Sequence, residues 1–465
     1  MARNASTYVC QSCGAQTRQF FGRCSGCGSW NSLVEQRVSS KQGRGRAGIN
    51  HAAPAVARRS APMMSLGDQP LQRMLTGYPE FDRVLGGGLV PGSLVLVGGD
   101  PGIGKSTLLL QSASAMAANL SVLYVSAEES AQQVRLRWQR LAGIETPLQL
   151  LAETDLDLVL DELEAFQPSV AIIDSIQALH DTELSSAPGS VAQVRECAAS
   201  LQRFAKLRNT TLLLVGHVTK EGLLAGPKVL EHLVDAVLTF EGDRFASHRL
   251  LRAVKNRFGA THELGLFEMQ GRGLAEVANP SELFLSGESA SGVATIVACE
   301  GTRSLVVDLQ ALVSVTSYAS PRRTATGIST NRLHQILAVI EKHMGLPLSR
   351  YDCYLAVAGG LEVEEPAADL GVAAAIVSSF RDLTMPPGTV LIGELGLGGQ
   401  IRPVGQLELR LQEAVRLGFR RAIVPRGSGL GRLTAELALE MLEVESVTEA
   451  LVMALGGLNP ADENC

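Results

Sequence analysis

The segment GSLVLVGGDPGIGKSTLLLQSASAMAANL, residues 92–120, constrains the fold of this chain more than any other stretch. An apolar run over Leu94–Val97 leads into Gly99-x4-Gly104-Lys105-Ser106, and a helical pattern follows. Strand, glycine-rich turn and helix in this order are the context a phosphate-binding loop requires. Glycine lets the backbone close so that N–H groups surround an anion, and the helix N-terminus adds its positive end. Lys105 then reaches the β and γ oxygens of a nucleotide, and the Ser106 hydroxyl ligates Mg2+. The expected ATP-binding set is Gly99, Asp100, Pro101, Gly102, Ile103, Gly104, Lys105, Ser106 and Thr107.

Three later segments fit the same sheet. PSVAIIDSIQAL is a buried-strand run ending in Asp174, suited to hold the Mg2+ shell from the tip of a strand neighbouring the loop. SVLYVSAEES is a strand that ends at Glu128 and Glu129, where a carboxylate orients or deprotonates an attacking water. Glu128 is the preferred residue and Glu129 its competitor. TTLLLVGHVTKEG reaches His217, followed by Lys220 and Lys228 with Gly222 and Gly226 between them. This is a flexible basic loop at the end of the sheet, read as an ordinary surface loop or, by its resemblance to the loops of RecA-class rings, as one whose phosphate contacts with DNA are salt-dependent and sequence-independent.

The N-terminus is of another kind. YVCQSCGAQTRQFFGRCSGCGSW places Cys10, Cys13, Cys24 and Cys27 in a C-x2-C-x10-C-x2-C pattern. Each C-x-x-C turn offers two thiolates, and four make a tetrahedral Zn2+ site. Ligation contributes roughly 10–16 kcal/mol of folding free energy to a piece too small for its own core. Cys197, Cys299, Cys353 and Cys465 are scattered and read as small buried or terminal residues.

A chain of 465 residues exceeds the ~250–300 at which one core stops growing, so several domains are expected. Residues 1–60 carry nine Lys/Arg against one acid, which leaves −14 on the rest of a chain whose formal net charge is −6. That is a basic arm on an acidic body, and it points to a polyanionic partner at the arm. From Gln36 to about Ser60 the composition turns to Gly, Ala and Arg without hydrophobic period, as in a flexible tether. No apolar run approaches the ~20 residues of a membrane span, and no signal-peptide core is present, so a cytoplasmic, membrane-free protein is expected.

The ordered set of P-loop, SAEE strand end, IIDSIQAL and LLLVGHVTKEG resembles the RecA/DnaB class of P-loop ATPases. With the four cysteines, GHVTKEGLLAGPKVLEHLVD and VKNRFGAT, the whole chain closely resembles the RadA (Sms) family of bacterial DNA repair proteins. The resemblance implies Glu128 as catalytic glutamate and His217 as γ-phosphate sensor. It matches Lys255-Asn256-Arg257-Phe258-Gly259 to the family's KNRFG signature, and Lys255 and Arg257 are expected to act on a neighbouring subunit's nucleotide. It further implies a DNA-dependent ATPase that processes branched recombination intermediates. The expected partners are single-stranded and branched DNA and the RecA recombinase, in a ring of six subunits associated with the nucleoid.

After RGLAEVANPSELFLSG, residues 272–287, patterning restarts with strands at Gly292–Cys299 and Ser304–Gln310 and a helix in STNRLHQILAVIEKHMG. This α+β region resembles the proteolytic domain of Lon-type proteases, which use a Ser nucleophile and a Lys base. Where that family places its serine, this chain has Glu365-Pro366-Ala367-Ala368-Asp369-Leu370-Gly371, and where it places its lysine, Gly405-Gln406-Leu407-Glu408. Ser378 and Ser379 lie downstream, and no Lys follows Lys342, so proteolysis is not expected. Arg410, Arg416, Arg420, Arg421 and Arg426 are either a local DNA patch or a solvated helix face. The expected fold class is α/β, with a zinc finger at 1–35, a linker at 36–60, a RecA-like ATPase domain at 61–275 and a proteolytically inactive Lon-like domain at 286–465.

Overall fold

A computed structural model describes residues 6–10, 16–17, 19, 21–30, 32–37, 72–142, 146–216, 230–242, 248–287, 289–318, 320–427 and 439–456. The chain divides into two compact units, Met1–Glu276 and Val277–Cys465.

The first unit begins with a three-stranded antiparallel sheet in the order β2-β1-β3, made of β1 (Ser6–Cys10), β2 (Gln16–Thr17) and β3 (Leu33–Arg37). Its small core holds Cys10, Cys24 and Leu33.

The rest of the unit is built on nine strands. The parallel ones are β4 (Leu94–Gly99), β5 (Val122–Ser126), β6 (Gln149–Ala152), β7 (Val170–Asp174), β8 (Thr211–Val215) and β9 (Ala236–Glu241). The antiparallel extension is β10 (His248–Asn256), β11 (Leu264–Gln270) and β12 (Gly273–Glu276). The sheet order is β12-β11-β10-β9-β4-β8-β7-β5-β6. Strands β4, β5, β7 and β8 are buried along their whole length, as parallel strands covered on both faces must be.

Alternation along β4 divides the core. Val95 and Val97 face α1 (Pro79–Leu85), α2 (Lys105–Met116) and α3 (Ala131–Ala142), while Leu94 and Leu96 face α4 (Leu156–Phe166) and α5 (Val191–Arg208). Capping fixes where the helices start and stop. Asp155 and Ser190 accept N–H bonds at the starts of α4 and α5, and Gly86 ends α1 in the left-handed region. One expectation is corrected here. β7, which ends in Asp174, is not beside β4, because β8 lies between them. Apolar runs mark strands but do not encode their lateral order.

The second unit is a seven-stranded mixed sheet in the order β15-β16-β14-β13-β17-β20-β21. Its strands are β13 (Val293–Glu300), β14 (Arg303–Val315), β15 (Arg323–Thr326), β16 (Tyr351–Val357), β17 (Thr389–Leu391), β20 (Arg421–Pro425) and β21 (Glu440–Val444). A separate hairpin pairs β18 (Glu394–Leu395) with β19 (Ile401–Arg402). The helices are α6 (Thr330–Met344), α7 (Asp369–Arg381), α8 (Leu407–Arg416) and α9 (Val447–Leu455). α7 lies so close to β13 that a Cβ on Gly371 would stand 2.1 Å from Ile296 Cγ2, so only glycine fits there. Among the described residues no helix is long and apolar enough to cross a membrane.

Candidate active site

The loop after β4 has the conformation its glycines permit. Gly99 has φ +149°, and a Cβ there would stand 2.5 Å from Phe240 O. Gly104, at φ +122°, caps α2, and its missing Cβ leaves room for Met269, Leu274 and Phe240. Pro101 and Gly102 are exposed at the tip, while Lys105 is only 3% exposed. The Lys105 ammonium donates to Gly99 O at 2.8 Å and Asp100 O at 2.9 Å. Burial lowers its pKa, and Asp174, Glu128 and Asp100 act in the opposite sense, so these carboxylates help keep the proton on Nζ. Ser106 and Thr107 follow in the first turn of α2.

Asp174 ends β7, and the Tyr124 hydroxyl donates to its Oδ2 at 2.5 Å. Tyr124 is 1% exposed, and burial followed by the Asp174 charge pushes its pKa well above the usual value, so the hydroxyl stays protonated as a donor. The two carboxylates after β5 have different surroundings. Glu128 Oε1 accepts a hydrogen bond from Ser175 Oγ, next to Asp174, whereas Glu129 pairs with Arg137. Ser126 Oγ, which donates to Glu129 O at 2.8 Å, fixes the turn between them.

Lys255 and Arg257 lie at the other end of the sheet. Lys255 pairs with Val237 in β9, which is level with Leu96 of β4, whereas Gly99 at the loop is level with Phe240. Three residues of strand at ~3.3 Å each set the two positions about 10 Å apart along the strand direction. The Lys255 ammonium donates to Glu231 O and to Val234 O at 2.9 Å, and Arg257 Nη1 lies 3.0 Å from Asp235 Oδ1. Both side chains thus converge on the turn before β9. Asp235 is 2% exposed and its other oxygen accepts Leu94 N at 3.0 Å. His217, Lys220, Gly222, Gly226 and Lys228 lie outside the described residues.

Cys10, Cys24 and Cys27 bring their sulfurs within 4.8 Å of one another, and Cys13 lies outside the described residues. Cys10 and Cys27 Sγ are 3.7 Å apart. A tetrahedron of Zn–S bonds near 2.3 Å has edges of about 3.8 Å, so the sulfurs fit that ion. Gly26 N–H donates to Cys24 Sγ at 3.3 Å, a contact that stabilises a thiolate.

In the second unit the positions compared with the Lon dyad are occupied by other chemistry. Ala367 is buried in the turn before α7, and Glu408 is exposed on α8. Between them Arg410, 3% exposed, forms a bidentate pair with Glu365, with Nη1 to Oε1 at 2.7 Å. Burial opposes the Arg410 charge, but Glu365 outweighs it and leaves the pKa raised. Arg410 is therefore no surface cation. Arg416, Arg421 and Arg426 pair with Glu413, Glu440 and Glu445, and Arg420 is exposed. Among the described residues, acids from α8, β21 and its following turn offset the charge of Arg416, Arg421 and Arg426. Ser378 is fully buried, accepts from Gly292 N at 2.8 Å and donates to Leu383 O, while Ser379 Oγ accepts from Val313 N at 2.9 Å. Both hydroxyls hold backbone.

Tyr124, Ser175, Arg249 and Asp235 are the site neighbours that motif reading passes over. No sequence signal singles out Arg249, because β10 also carries Arg252 and Lys255.

Comparison with known proteins accords with this layout. Residues 64–223 match a family model described as AAA domain, 8–35 one described as rubredoxin metal binding domain, and 320–428 one described as subunit ChlI of Mg-chelatase. A DNA repair protein RadA from Synechocystis sp. is 55% identical, covering 100% of this chain and 96% of its own. The DNA repair protein RadA of Bacillus subtilis is 49% identical, over 98% and 100% of the two chains. A solved structure of a KaiC-like protein from Pyrococcus horikoshii OT3 covers 45% of this chain and all of its own, with 21% identity and a TM-score of 0.37. A zinc ribbon, a P-loop ATPase core and a Lon-like second unit in one chain, with full-length identity at this level, place the protein in the family of the bacterial DNA repair protein RadA.

Proposed function

We propose that the protein is a DNA-dependent ATPase that assembles head to tail into a six-membered ring and drives branch migration of recombination intermediates, in concert with RecA. The observation that carries this reading is the separation of the two cation sets. Lys105, Asp174 and Glu128 gather at the carboxyl edge of the parallel strands, whereas Lys255 and Arg257 project from the amino edge. One subunit cannot bring both sets to the same phosphate, but a heterologous ring sets the amino edge of one against the carboxyl edge of the next.

In this reading Lys105 exchanges its two loop carbonyls for phosphate oxygens. Ser106 and Asp174 hold Mg2+, which when bound draws charge from the phosphate oxygens. Glu128, held by Ser175, orients the attacking water. Lys255 and Arg257 leave the 231–235 turn for the neighbour's γ-phosphate, a contribution of about 10³–10⁵ in rate where trans-acting arginines operate in other P-loop enzymes. His217 senses the γ-phosphate, and the basic 217–229 segment grips DNA through salt-sensitive phosphate contacts. The cysteines hold Zn2+.

A strand-displacement assay on a three-way DNA junction tests the proposal. A motor releases the branch strand with ATP and stops in Lys105→Ala. Binding without displacement makes the protein an ATP-switched adaptor instead.

A further inference from the structure

The P-loop is held from behind by a residue outside every nucleotide-binding motif. Arg249, the second residue of β10, is 7% exposed, and its Nε donates to Ile103 O at 3.1 Å. Its Nη1 donates to His248 O at 2.8 Å, which anchors the guanidinium to its own strand. The strand beneath it is fixed on both sides, with Arg249 opposite Phe267 of β11 and Leu250 opposite Glu241 of β9. Gly242 clears its path, since a Cβ there would stand 3.0 Å from Arg249 Cδ.

Peptide geometry gives this contact a consequence. The Ile103 carbonyl and the Gly104 N–H belong to one planar trans peptide and point in opposite directions. A donor that holds the carbonyl towards β10 therefore turns the Gly104 N–H the other way, into the concavity that receives phosphate. Gly104 lacks a Cβ to restrict its own rotation, so without such a hold this peptide is free to flip.

We propose that Arg249 is a positioning residue for nucleotide binding: it orients the Ile103–Gly104 peptide so that the loop is preset for phosphate. The contact lies on the side of the loop away from the ligand, so Arg249 acts through the backbone and touches no phosphate. The proposal rests on Gly99–Thr107 being the nucleotide loop.

The test is titration of the full-length protein with a fluorescent ATP analogue and Mg2+, alongside thermal melting without nucleotide. Arg249→Gln is expected to weaken analogue binding by at least about tenfold, as loss of a charge-assisted hydrogen bond to a loop does. Arg249→Lys should recover part of the affinity, because an ammonium retains one donor for Ile103 O. A merely structural role would lower the melting temperature and leave the affinity of the folded fraction unchanged. Affinity within twofold of the parent in Arg249→Gln overturns the proposal. If that variant does not fold, parental affinity in Arg249→Lys overturns it and weakened affinity at unchanged melting temperature supports it. Lys105→Ala, titrated in parallel, keeps the two readings apart. No loss there removes the nucleotide loop itself, whereas loss there with none at Arg249 removes only this inference.

Discussion

The hydroxyl of Tyr124 donates to Asp174 Oδ2 at 2.5 Å inside the core of the ATPase unit, where Tyr124 is 1% exposed. The tyrosine occupies one carboxylate oxygen and so fixes the direction of the other. Tyr124→Phe keeps the ring and removes the hold, at about 1–2 kcal/mol or roughly five- to thirtyfold in turnover. ATPase rates against Mg2+ concentration should show this loss with a raised Mg2+ requirement. Because the hydroxyl titrates far above neutrality, the ratio to parent should be flat between pH 6 and 9, and a ratio that changes across that window contradicts the assignment.

The two neighbouring glutamates should separate cleanly. Glu128→Gln is expected to cut turnover by about 10² or more while nucleotide still binds, in line with loss of a general base. Glu129→Gln disrupts a partly exposed pair with Arg137, a contact worth under about 1 kcal/mol, and should leave turnover within a factor of about three. Single-turnover ATPase assays on both variants decide, and the reverse ranking would transfer the role to Glu129.

Much of this was legible in sequence, and what was not has a physical reason. The P-loop is local: its glycines, Lys105 and Ser106 lie within one turn and one helix start, so spacing alone shows the strand–turn–helix context. The order of the strands is not local, and nothing in IIDSIQAL says that β8 separates it from β4. Arginines show the same limit. Arg410 and Arg416 look alike in LELRLQEAVR, yet one is buried against Glu365, which lies 45 residues away, and the other is exposed beside Glu413. The pattern of α8 shows which residues share a face but not which acid meets them.

The Arg410–Glu365 pair should matter for stability. Arg410→Met leaves the half-buried Glu365 without its bidentate partner, and because that carboxylate reaches solvent the cost should fall below the roughly 3–5 kcal/mol of a fully buried pair broken from one side. Denaturant unfolding that resolves the second unit should register the loss. Arg416→Gln, on the exposed face, should change stability by less than about 0.5 kcal/mol.

Cysteine chemistry should divide by environment. Burial pushes the Cys197 thiol up to about 12 and the Cys353 thiol up to about 11. Both should resist alkylation at pH 8 in the folded protein, since only the thiolate reacts. Chelation should release a single zinc per chain and make Cys10, Cys24 and Cys27 reactive. Mass spectrometry after iodoacetamide, with and without chelator, reads both outcomes, and labelling that is indifferent to chelator would argue against a metal at the ribbon.

The central claim is that one subunit's loop and the next subunit's cations make the ATPase site together. Lys105→Ala and Arg257→Ala should each be inactive alone. Mixed in equal amounts and allowed to exchange subunits on DNA, they should regain turnover, because about a quarter of the interfaces in a random heterologous ring then pair an intact loop with an intact arginine. No recovery in mixed rings, or parental turnover in Arg257→Ala by itself, would contradict the account.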